Sequence, residues 1–582
     1  MGFTQRTVDL KDCLKSYTRD LDKAISPQET LETFYSRVAA LDLKIVNSVK
    51  RIDSGRLGIP VYFSVCGEDA AALTGTKKQM GKGASPQQAE ASACMELVER
   101  FSFFAYKNEE TNFFIGDYQQ ALASGHPVLD LQYLLQSVDD KETSSKTLAS
   151  LLEGIPMQWA WGLNVTTGQQ LLVPFSWFFA INEFNGSSAG NTLEEAALQG
   201  LCEVVERHVC ALVNRQKRQV PKIAPASLKN PVAKELVRLF QDRNIELQLY
   251  DFSLDTGIST VAALAIDRTT FPQRSEIVFT AGTSPDPAKA AIRAITEVAQ
   301  LAGDFDTDSK YIASGLPKPA SVDEVAYLSG GKKEVSIADI ANLSDDNIKD
   351  EFLSCVAAIQ KLAMDVLVLD VSDERLNIPA CYVIVPGAAF RERAASGDAG
   401  LFAARLAQEN IGYGPLLEAK LAQMDALLPD AYYLDFYRGQ NQVSLGDHEA
   451  ALRHFSRALQ REPAAEDLPS IASFMGCCLK DLGRYEEAVK ILAQGLQVDE
   501  QRPDLHNSLG VCWFKLEDYR QAIAHFHRAV ELNPASAMDY ANLGVNYDRL
   551  GEKAKAIEYL TVAVTLDAEL DFARDLLTQL IS

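Results

Sequence analysis

Polar and charged side chains recur at helical spacing within the stretch 186–209, whose other residues read as a buried helix. Charged groups are seldom buried unless they are paired or bind a metal, so such a face predicts a binding site. Because successive residues of an α-helix are about 100° apart, one face collects Glu195, Gln199, Glu203 and Glu206, with Arg207 at its edge.

The alternative is a solvent-exposed helix on which glutamate and arginine pair across one turn, each pair contributing about 0.2–0.5 kcal/mol. Two other segments argue against this alternative, because surface charges have no physical reason to recur at fixed offsets. Each segment follows a strand and a loop of small residues, so we expect three related strand-loop-helix units. The residues at matching offsets are Ser92, Glu96, Glu99 and Arg100 in one segment, and Arg293, Glu297 and Gln300 in the other.

Several glutamates that face one another repel strongly unless cations neutralise them. Mg²⁺ prefers hard oxygen ligands and is commonly bound together with substrate phosphates. The loop before the helix that carries Glu203 and Glu206 offers backbone N–H groups to a phosphate. It also offers the polar side chains of Ser188, Asn191 and Thr192. Neither a GxxxxGKS/T loop nor a protein-kinase HRD or DFG set occurs. The pattern therefore predicts a nucleotide and metal site of another architecture.

The elements that must position this site belong to a mixed region that extends to about residue 405. Strand signals such as GIPVYFSVC, TVAALAID and MDVLVLDV alternate there with helical segments. A polar stretch between 303 and 350 predicts a long loop. An Ala/Leu-rich segment, 406–431, predicts a helical connection to the rest of the chain.

From residue 432 to 582 the chain repeats itself about four times. The glycines that align lie 37, 34 and 34 residues apart, and an alanine follows each of them after twelve residues. An ordinary amphipathic bundle does not produce such registered columns of small residues. The pattern resembles the tetratricopeptide repeat, an all-α unit of paired helices. The aligned residues are Gly439, Gly476, Gly510 and Gly544, with Ala451, Ala488, Ala522 and Ala556.

Composition excludes some classes of partner and compartment. The formal net charge of −23 argues against nucleic acid or an anionic membrane surface as the main partner. The sequence shows no signal peptide and no apolar run of about 18 residues. Its ten cysteines are scattered without a CxxC pair, which is typical of reduced thiols in a cytoplasm.

Three segments, SACMELVER, SAGNTLEEAALQGLCEVVER and RAITEVAQ, resemble the signature segments of the YcaO family. The segments DKAISPQETLETF, GIPVYFSV, GKG and IPACYVIVPG agree in order, so the resemblance covers about residues 15–395. It implies an α+β domain over residues 1–405 that uses ATP and Mg²⁺ to phosphorylate a peptide-backbone amide oxygen. The activated amide then becomes an azoline or, with a sulfur source, a thioamide.

The resemblance also implies roles for individual residues. Glu203, Glu206 and Arg207 would be catalytic. The metal ligands would be Glu96, Glu99, Glu203, Glu206 and Glu297. Nucleotide contacts would come from Lys23, Thr30, Arg100, Ser188, Asn191, Glu195, Gln199, Arg207 and Arg293.

Azoline-forming members of the family typically end in a proline-rich tail, whereas this sequence ends in RDLLTQLIS. We therefore expect thioamide, sulfur-linked or ribosomal-protein modification rather than azoline formation. The alternative is a nucleotide-sensing adaptor without turnover. Stacked repeats form a groove suited to a peptide substrate or a partner protein, and dimerisation through the repeats is the competing interpretation.

Overall fold

The computed structural model describes residues 3–53, 55–302, 305, 315–329, 333–391 and 397–582. Contacts divide it into two units, one formed by 1–149 with 156–399 and the other by 150–155 with 400–582. The boundaries that the sequence suggests at 405 and 431 remain predictions. The long loop predicted for 303–350 lies partly outside the described residues, and its described part contains short helices and one short strand.

The strands all belong to the first unit. In chain order they are β1 (Val46–Arg51), β2 (Val61–Cys66), β3 (Lys78–Lys82), β4 (Phe114–Gly116), β5 (Met157–Asn164), β6 (Gln169–Pro174), β7 (Ser187–Ala189), β8 (Lys222–Ile223), β9 (Glu246–Asp251), β10 (Thr260–Ile266), β11 (Val278–Thr283), β12 (Glu334–Val335), β13 (Leu367–Asp370) and β14 (Ala380–Ile384).

The α-helices up to residue 360 follow and interleave with these strands. They are α1 (Pro27–Ala39), α2 (Glu68–Thr74), α3 (Pro86–Asn108), α4 (Tyr118–Ala123), α5 (Leu131–Ser137), α6 (Ser145–Leu152), α7 (Phe175–Asn182), α8 (Leu193–Gln216), α9 (Pro231–Asp242), α10 (Pro287–Ala302), α11 (Ala326–Ser329) and α12 (Ile348–Gln360).

The described strands form three sheets, and each sheet carries one of the helices that the sequence singles out. The orders are β1-β2-β3, β11-β10-β9-β8-β12 and β4-β5-β13-β14-β7, with β6 paired to β5. Helix α3 packs on β2 and β3, α10 on β10 and β11, and α8 on β7 and β14. The predicted strand-loop-helix units are therefore β3–α3, β7–α8 and β11–α10.

Small residues let each helix lie close to its strand. A Cβ atom on Gly282 would lie 2.5 Å from the backbone nitrogen of Ala294, and one on Gly81 would overlap the backbone of Ala93. In β7–α8 the small residue sits on the helix instead, where a Cβ atom on Gly200 would lie 2.8 Å from the hydroxyl oxygen of Ser188. In all three units the strand residue and the helix residue that approach each other are twelve residues apart in the sequence, so the three helices dock in the same way.

Apolar faces fix the rotation of the helices. Leu201 and Val205 of α8 lie in a core that includes Phe352 of α12. Ile295 and Val298 of α10 lie in a second core with residues of β10 and β11. Burying one such side chain contributes about 1.5–3 kcal/mol, so each helix turns its apolar side to its own sheet. The polar faces are left to meet one another.

The second unit consists of helices. They are α13 (Ala399–Ile411), α14 (Pro415–Leu427), α15 (Tyr432–Ser444), α16 (His448–Gln460), α17 (Leu468–Asp481), α18 (Tyr485–Val498), α19 (Pro503–Lys515), α20 (Tyr519–Leu532), α21 (Ala537–Arg549), α22 (Lys553–Leu566) and α23 (Asp571–Ile581).

The repeat pattern of the sequence becomes helix pairs. Helices α15–α16, α17–α18, α19–α20 and α21–α22 pack within each pair and against the next pair. The four aligned alanines are fully buried. Each aligned glycine lies against a large apolar side chain of the second helix of its pair, either Phe or Leu. Across all the described residues, no helix combines the length and the apolar character that crossing a bilayer requires.

Candidate nucleotide and metal site

A cavity of about 350 Å³ lies in the first unit where the polar faces of α3, α8 and α10 meet. The segment around Lys23 and the end of β3 complete its wall. Of the residues to which the family resemblance assigns roles, all except Ser188 line this cavity, so helices from three separate parts of the chain converge. The lining residues among those predicted are Lys23, Thr30, Glu96, Glu99, Arg100, Asn191, Glu195, Gln199, Glu203, Glu206, Arg207, Arg293 and Glu297.

Ser188 does not line the cavity but lies between strand β7 and helix α8. Its side chain is buried, and its hydroxyl donates a hydrogen bond of 2.7 Å to the carbonyl oxygen of Ala196. The corresponding positions of the other two units are glycines, so this hydroxyl occupies the space between strand and helix. Its observed contacts join β7 to α8.

One end of the cavity is a chain of hydrogen bonds built on Glu195. Lys23 Nζ lies 3.0 Å from Glu195 Oε1, and the backbone N–H of Ala24 donates to Glu195 Oε2 at 3.0 Å. The Asn191 amide also donates to Glu195, and it accepts from the hydroxyl of Thr30 at 3.0 Å. Hydrogen-bond donors and acceptors are therefore both held in fixed positions at this end of the cavity.

The helix α8 begins at this end for a local reason. The hydroxyl of its N-cap residue, Thr192, accepts a hydrogen bond from the backbone N–H of Glu195 at 3.2 Å. In the same way, the Ser85 hydroxyl caps α3 by accepting from the N–H of Gln88. Capping of this kind stabilises a helix by about 1 kcal/mol and sets its first residue.

In the middle of the cavity, carboxylates alternate with basic groups. Arg100 lies 3.5 Å from Glu99 and 4.0 Å from Glu96, and Arg207 lies 3.5 Å from Glu203. These distances are longer than those of a tight bidentate pair, and the buried Nη1 atom of Arg100 has no hydrogen-bond partner among the described residues.

Further contacts orient this part of the cavity. The Ser187 hydroxyl donates to Glu99 at 2.8 Å, and the Thr283 backbone N–H donates to Glu206 at 3.0 Å. Arg293 donates to Gln199 at 2.8 Å. Each of these bonds joins two of the three units, so the docking of the units fixes the positions of the charges.

Burial changes the protonation of the carboxylates. Burial raises the pKa of Glu99 to about 8, against the opposing charge of Arg100. The pKa values of Glu96 and Glu206 are also raised, first by burial, with Glu203 adding to both. With a pKa of about 8, Glu99 needs a nearby cation to become ionised near neutral pH.

Lys82 lies in the same cavity and was not singled out as a site residue from the sequence. It ends β3 within the Gly81–Gly83 stretch and pairs with Glu297. Burial, followed by the charge of Arg293, lowers the pKa of Lys82 to about 8. In the sequence, GKG contributes to the family resemblance without a role for its lysine. A lysine between two glycines at the end of a strand is the feature that indicates a site residue here.

Phe184 is a second residue that sequence reasoning missed. The centroid of its ring lies 3.9 Å from the guanidinium carbon of Arg100, so that cation lies over an aromatic face. A cation over an aromatic ring contributes about 0.5–2 kcal/mol, depending on its exposure to water. Aromatic residues are common in this part of the sequence, so spacing alone did not indicate this one.

The residues present fit Mg²⁺ and a nucleotide by their chemistry. The cavity offers hard carboxylate oxygens beside guanidinium groups, and the buried Nε atom of Arg293 has no hydrogen-bond partner among the described residues. Within that described part, no three acidic, histidine or cysteine side chains are arranged around one metal position. The carboxylates are instead matched with the basic side chains around them.

A family model described as YcaO cyclodehydratase, ATP- and Mg²⁺-binding, matches residues 80–389. Two tetratricopeptide-repeat models match residues 413–543 and 540–570. The first match covers more than half of the 582 residues and includes the three helices α3, α8 and α10. The segment around Lys23 and Thr30 precedes the matched residues.

Individual proteins agree with this assignment. An uncharacterised protein of Methanothermobacter thermautotrophicus is 26% identical over 388 residues, which are 63% of this chain and 94% of that protein. The ribosomal protein S12 methylthiotransferase accessory factor YcaO of Escherichia coli is 25% identical over 351 residues, or 53% of this chain and 56% of that protein.

A solved heterocyclase in complex with substrate and cofactor shares the fold with a TM-score of 0.51 and 21% identity. The match covers 67% of this chain and 55% of the heterocyclase, so the chain spans little more than half of that protein. Together with the family match and the repeats, these findings identify the chain as a member of the YcaO family of ATP-dependent, Mg²⁺-binding enzymes, with tetratricopeptide repeats following its YcaO region.

Proposed function

We propose that the chain uses Mg²⁺-ATP in this cavity to phosphorylate the oxygen of a peptide-backbone amide. The observation that carries the proposal is the alternation of carboxylates and basic groups on three convergent helices. Such an arrangement suits a phosphate chain and its metal, because carboxylates bind the metal while guanidinium groups bind phosphate oxygens.

Bound Mg²⁺-ATP would supply the γ-phosphoryl group and neutralise its charge. The metal ligands would be Glu96, Glu99, Glu203, Glu206 and Glu297. At the centre, Glu203 and Glu206 would position the metal side of the phosphate chain, and Arg207 would stabilise charge on the transferred group. Arg100 and Arg293 would hold further phosphate oxygens.

The hydrogen-bonded end of the cavity would hold the rest of the nucleotide. Lys23, Thr30, Asn191 and Glu195 offer both donors and acceptors there, whereas the arginines lie in the middle. Gln199, which accepts from Arg293, lies between these two regions. We assign no direct nucleotide contact to the Ser188 hydroxyl, because it is committed to the carbonyl of Ala196.

For the product, we favour a thioamide, another sulfur-linked group or a modified ribosomal protein over an azoline. The support is the relative from Escherichia coli, which is named for a methylthiotransferase accessory role. The repeats would recruit the peptide or protein substrate, or a partner that supplies sulfur, because stacked helix pairs present an extended concave surface. Dimerisation through the same repeats is the competing role.

Glu203→Gln and Glu206→Gln test whether the cavity binds Mg²⁺-ATP through these carboxylates. Each change removes one negative charge with little change in shape, so ATP affinity at saturating Mg²⁺ should fall by at least about tenfold. Calorimetric titration of the full chain measures this, and circular dichroism checks the fold. Glu235→Gln, on the exposed surface of α9, is the matched control. Wild-type affinity in both site variants would refute the assignment.

The reaction needs a separate test. A peptide captured by residues 400–582 is labelled with a heavy oxygen isotope at its backbone amides and incubated with the full chain, Mg²⁺ and ATP. If the amide oxygen is phosphorylated and later leaves as phosphate, released phosphate should carry the label. Phosphate that is released without the label would indicate simple ATP hydrolysis and contradict the proposed reaction.

A further inference from the structure

Candidate metal ligands are matched with basic residues from the cavity wall. Arg100 lies beside Glu99, Arg207 beside Glu203, and Lys82 beside Glu297. The two arginines lie on the same helices as their carboxylates, so each of those pairs forms locally. Lys82 and Glu297 come from β3 and α10, and only the docking of two units brings them together.

The backbone holds Lys82 firmly in this position. Gly81 has no room for a Cβ atom because the backbone of α3 lies against it, and a Cβ atom on Gly83 would lie 2.7 Å from the backbone nitrogen of Ala89. Strand β3 is therefore packed directly onto the start of α3. The side chain of Lys82 keeps about 25% of its surface accessible, on the cavity side.

The charges around Lys82 are of both signs. The carboxylates of Glu96 and Glu206 attract its ammonium group, whereas the guanidinium groups of Arg293 and Arg207 repel it. Glu297 is its direct ion-pair partner. If Glu297 turned to a metal ion, the ammonium would be left in a partly buried place facing two cations. Loss of the direct partner is unfavourable for a partly buried charge, so this state favours a new anion next to Lys82.

We propose that Lys82 is the resident counter-ion of Glu297 and exchanges partners when the ligands bind. Glu297 passes to Mg²⁺, and the Lys82 ammonium passes to a phosphate oxygen of the nucleotide. Each ligand thereby removes an obstacle to the other, so Mg²⁺ and ATP bind with positive coupling through this one pair. The inference rests on the proposed Mg²⁺-ATP site and adds a residue and a coupling between the two ligands to it.

Lys82→Met tests the exchange. We expect Mg²⁺ alone to bind this variant about tenfold more tightly than it binds the wild type, because Glu297 is no longer engaged. The affinity for ATP in the presence of Mg²⁺ should fall, and the gain in ATP affinity that Mg²⁺ produces should be smaller than in the wild type. Calorimetry of the full chain with Mg²⁺ alone, with ATP in a chelator and with both measures all three quantities.

Lys78→Met is the matched control, since Lys78 lies on the same strand with its ammonium over the ring of Phe63. Its binding should equal that of the wild type. The reverse variant, Glu297→Gln, should bind ATP in chelator more tightly than the wild type does, because Lys82 is released. This second variant keeps the test valid if Lys82→Met does not fold.

The outcomes separate the two levels of inference. If wild-type chain binds no Mg²⁺-ATP, the proposed site fails before Lys82 is considered. If the wild type binds but Lys82→Met binds Mg²⁺ alone no more tightly, the pair is only structural and the exchange is wrong. Wild-type ATP affinity in chelator for Glu297→Gln would contradict it as well.

Discussion

Glu99 and Lys82 illustrate how one cavity alters side chains of opposite charge. Burial raises the pKa of the acid and lowers that of the base, so that both lie near 8. In each case burial is the largest cause and favours the uncharged form, while neighbouring charges of one sign add to the shift and those of the other sign oppose it. At the scale of single residues, the site is therefore a set of groups whose charged forms need a bound partner.

A second buried charge network lies beside the Lys23 end of the cavity. Lys15 Nζ lies 2.7 Å from Glu351 and 3.2 Å from Asp22, and Lys289 lies 3.7 Å from Asp22. The network joins the N-terminal segment to α10 and α12. Burial raises the pKa of Glu351 to about 7, with Asp22 adding to the shift and Lys15 opposing it.

Glu351 gives the fold a pH dependence. The reference pKa of a glutamate is 4.5, so the native state holds this proton more tightly than the unfolded chain does. The stabilisation is complete below pH 4.5 and is lost as the pH rises through about 7, at no more than about 1.4 kcal/mol per pH unit. The melting temperature of Glu351→Gln should therefore fall less than that of the wild type between pH 5 and 8.

Thermal melts of both proteins across this range check the expectation. Glu68→Gln is the control, because Glu68 is exposed and pairs only with exposed Lys44. Its melting curve should run parallel to that of the wild type. If the Glu351→Gln curve is also parallel to the wild type, the acid does not titrate in this window.

At the scale of elements, three helices dock on three sheets through small residues at matching positions. Gly81 and Gly282 on strands, and Gly200 on a helix, give the backbones this close approach. A side-chain hydrogen bond to a backbone carbonyl accompanies it on each helix. The donor is Ser64 of β2 for α3, Ser188 of β7 for α8 and Thr280 of β11 for α10. The carboxylates keep their relative positions only while this docking is intact.

Gly282→Ala tests the docking. The new methyl group would lie 2.5 Å from the backbone nitrogen of Ala294 and 2.6 Å from the carbonyl oxygen of Ala290, so strand and helix must separate. We expect destabilisation of about 1–3 kcal/mol or more, measured by urea unfolding, together with weaker Mg²⁺-ATP binding.

Gly125→Asn is the control for this change. Gly125 lies in an open turn at φ +79°, a conformation that asparagine tolerates, and nothing lies near its added Cβ atom. It should unfold like the wild type. A Gly282→Ala protein with unchanged stability and ATP affinity would show that the close approach does not position the site.

At the scale of the whole molecule, the chain forms two compact units. Every residue that lines the cavity belongs to the first unit, whereas the repeat helices belong to the second. Lys420 of α14 donates to the carbonyl oxygen of Glu153, which explains why the short segment 150–155 is grouped with the second unit.

Hydrogen exchange of the full chain, with and without Mg²⁺-ATP, distinguishes the units. Ligand at a hundredfold excess over its Kd raises the opening free energy of the binding unit by about 2.7 kcal/mol. Exchange should slow in α3, α8, α10 and the segment 17–30, and it should stay unchanged in α15–α22. Mg²⁺ with adenosine is the control that lacks phosphates. Equal protection in the repeats would contradict the division.

The sequence by itself determined the features that depend on short-range periodicity. Helical spacing placed Glu203 and Glu206 on one face, and the recurrence of that spacing indicated three related units. Registered glycine and alanine columns indicated the tetratricopeptide repeats for the same reason. A local pattern is sufficient here because 3.6 residues per turn relate position in the chain to position on the helix.

Only the tertiary structure decided which charges meet. Three contacts depend on residues from separate elements. They are the pairing of Lys82 with Glu297, the ring of Phe184 against Arg100 and the hydrogen bond from the Ser188 hydroxyl to the carbonyl of Ala196. No local period relates such residues, because their distance is set by how whole helices and sheets pack. The sequence could indicate that the carboxylates need cations, but the packing of three units determined which cations the protein itself supplies.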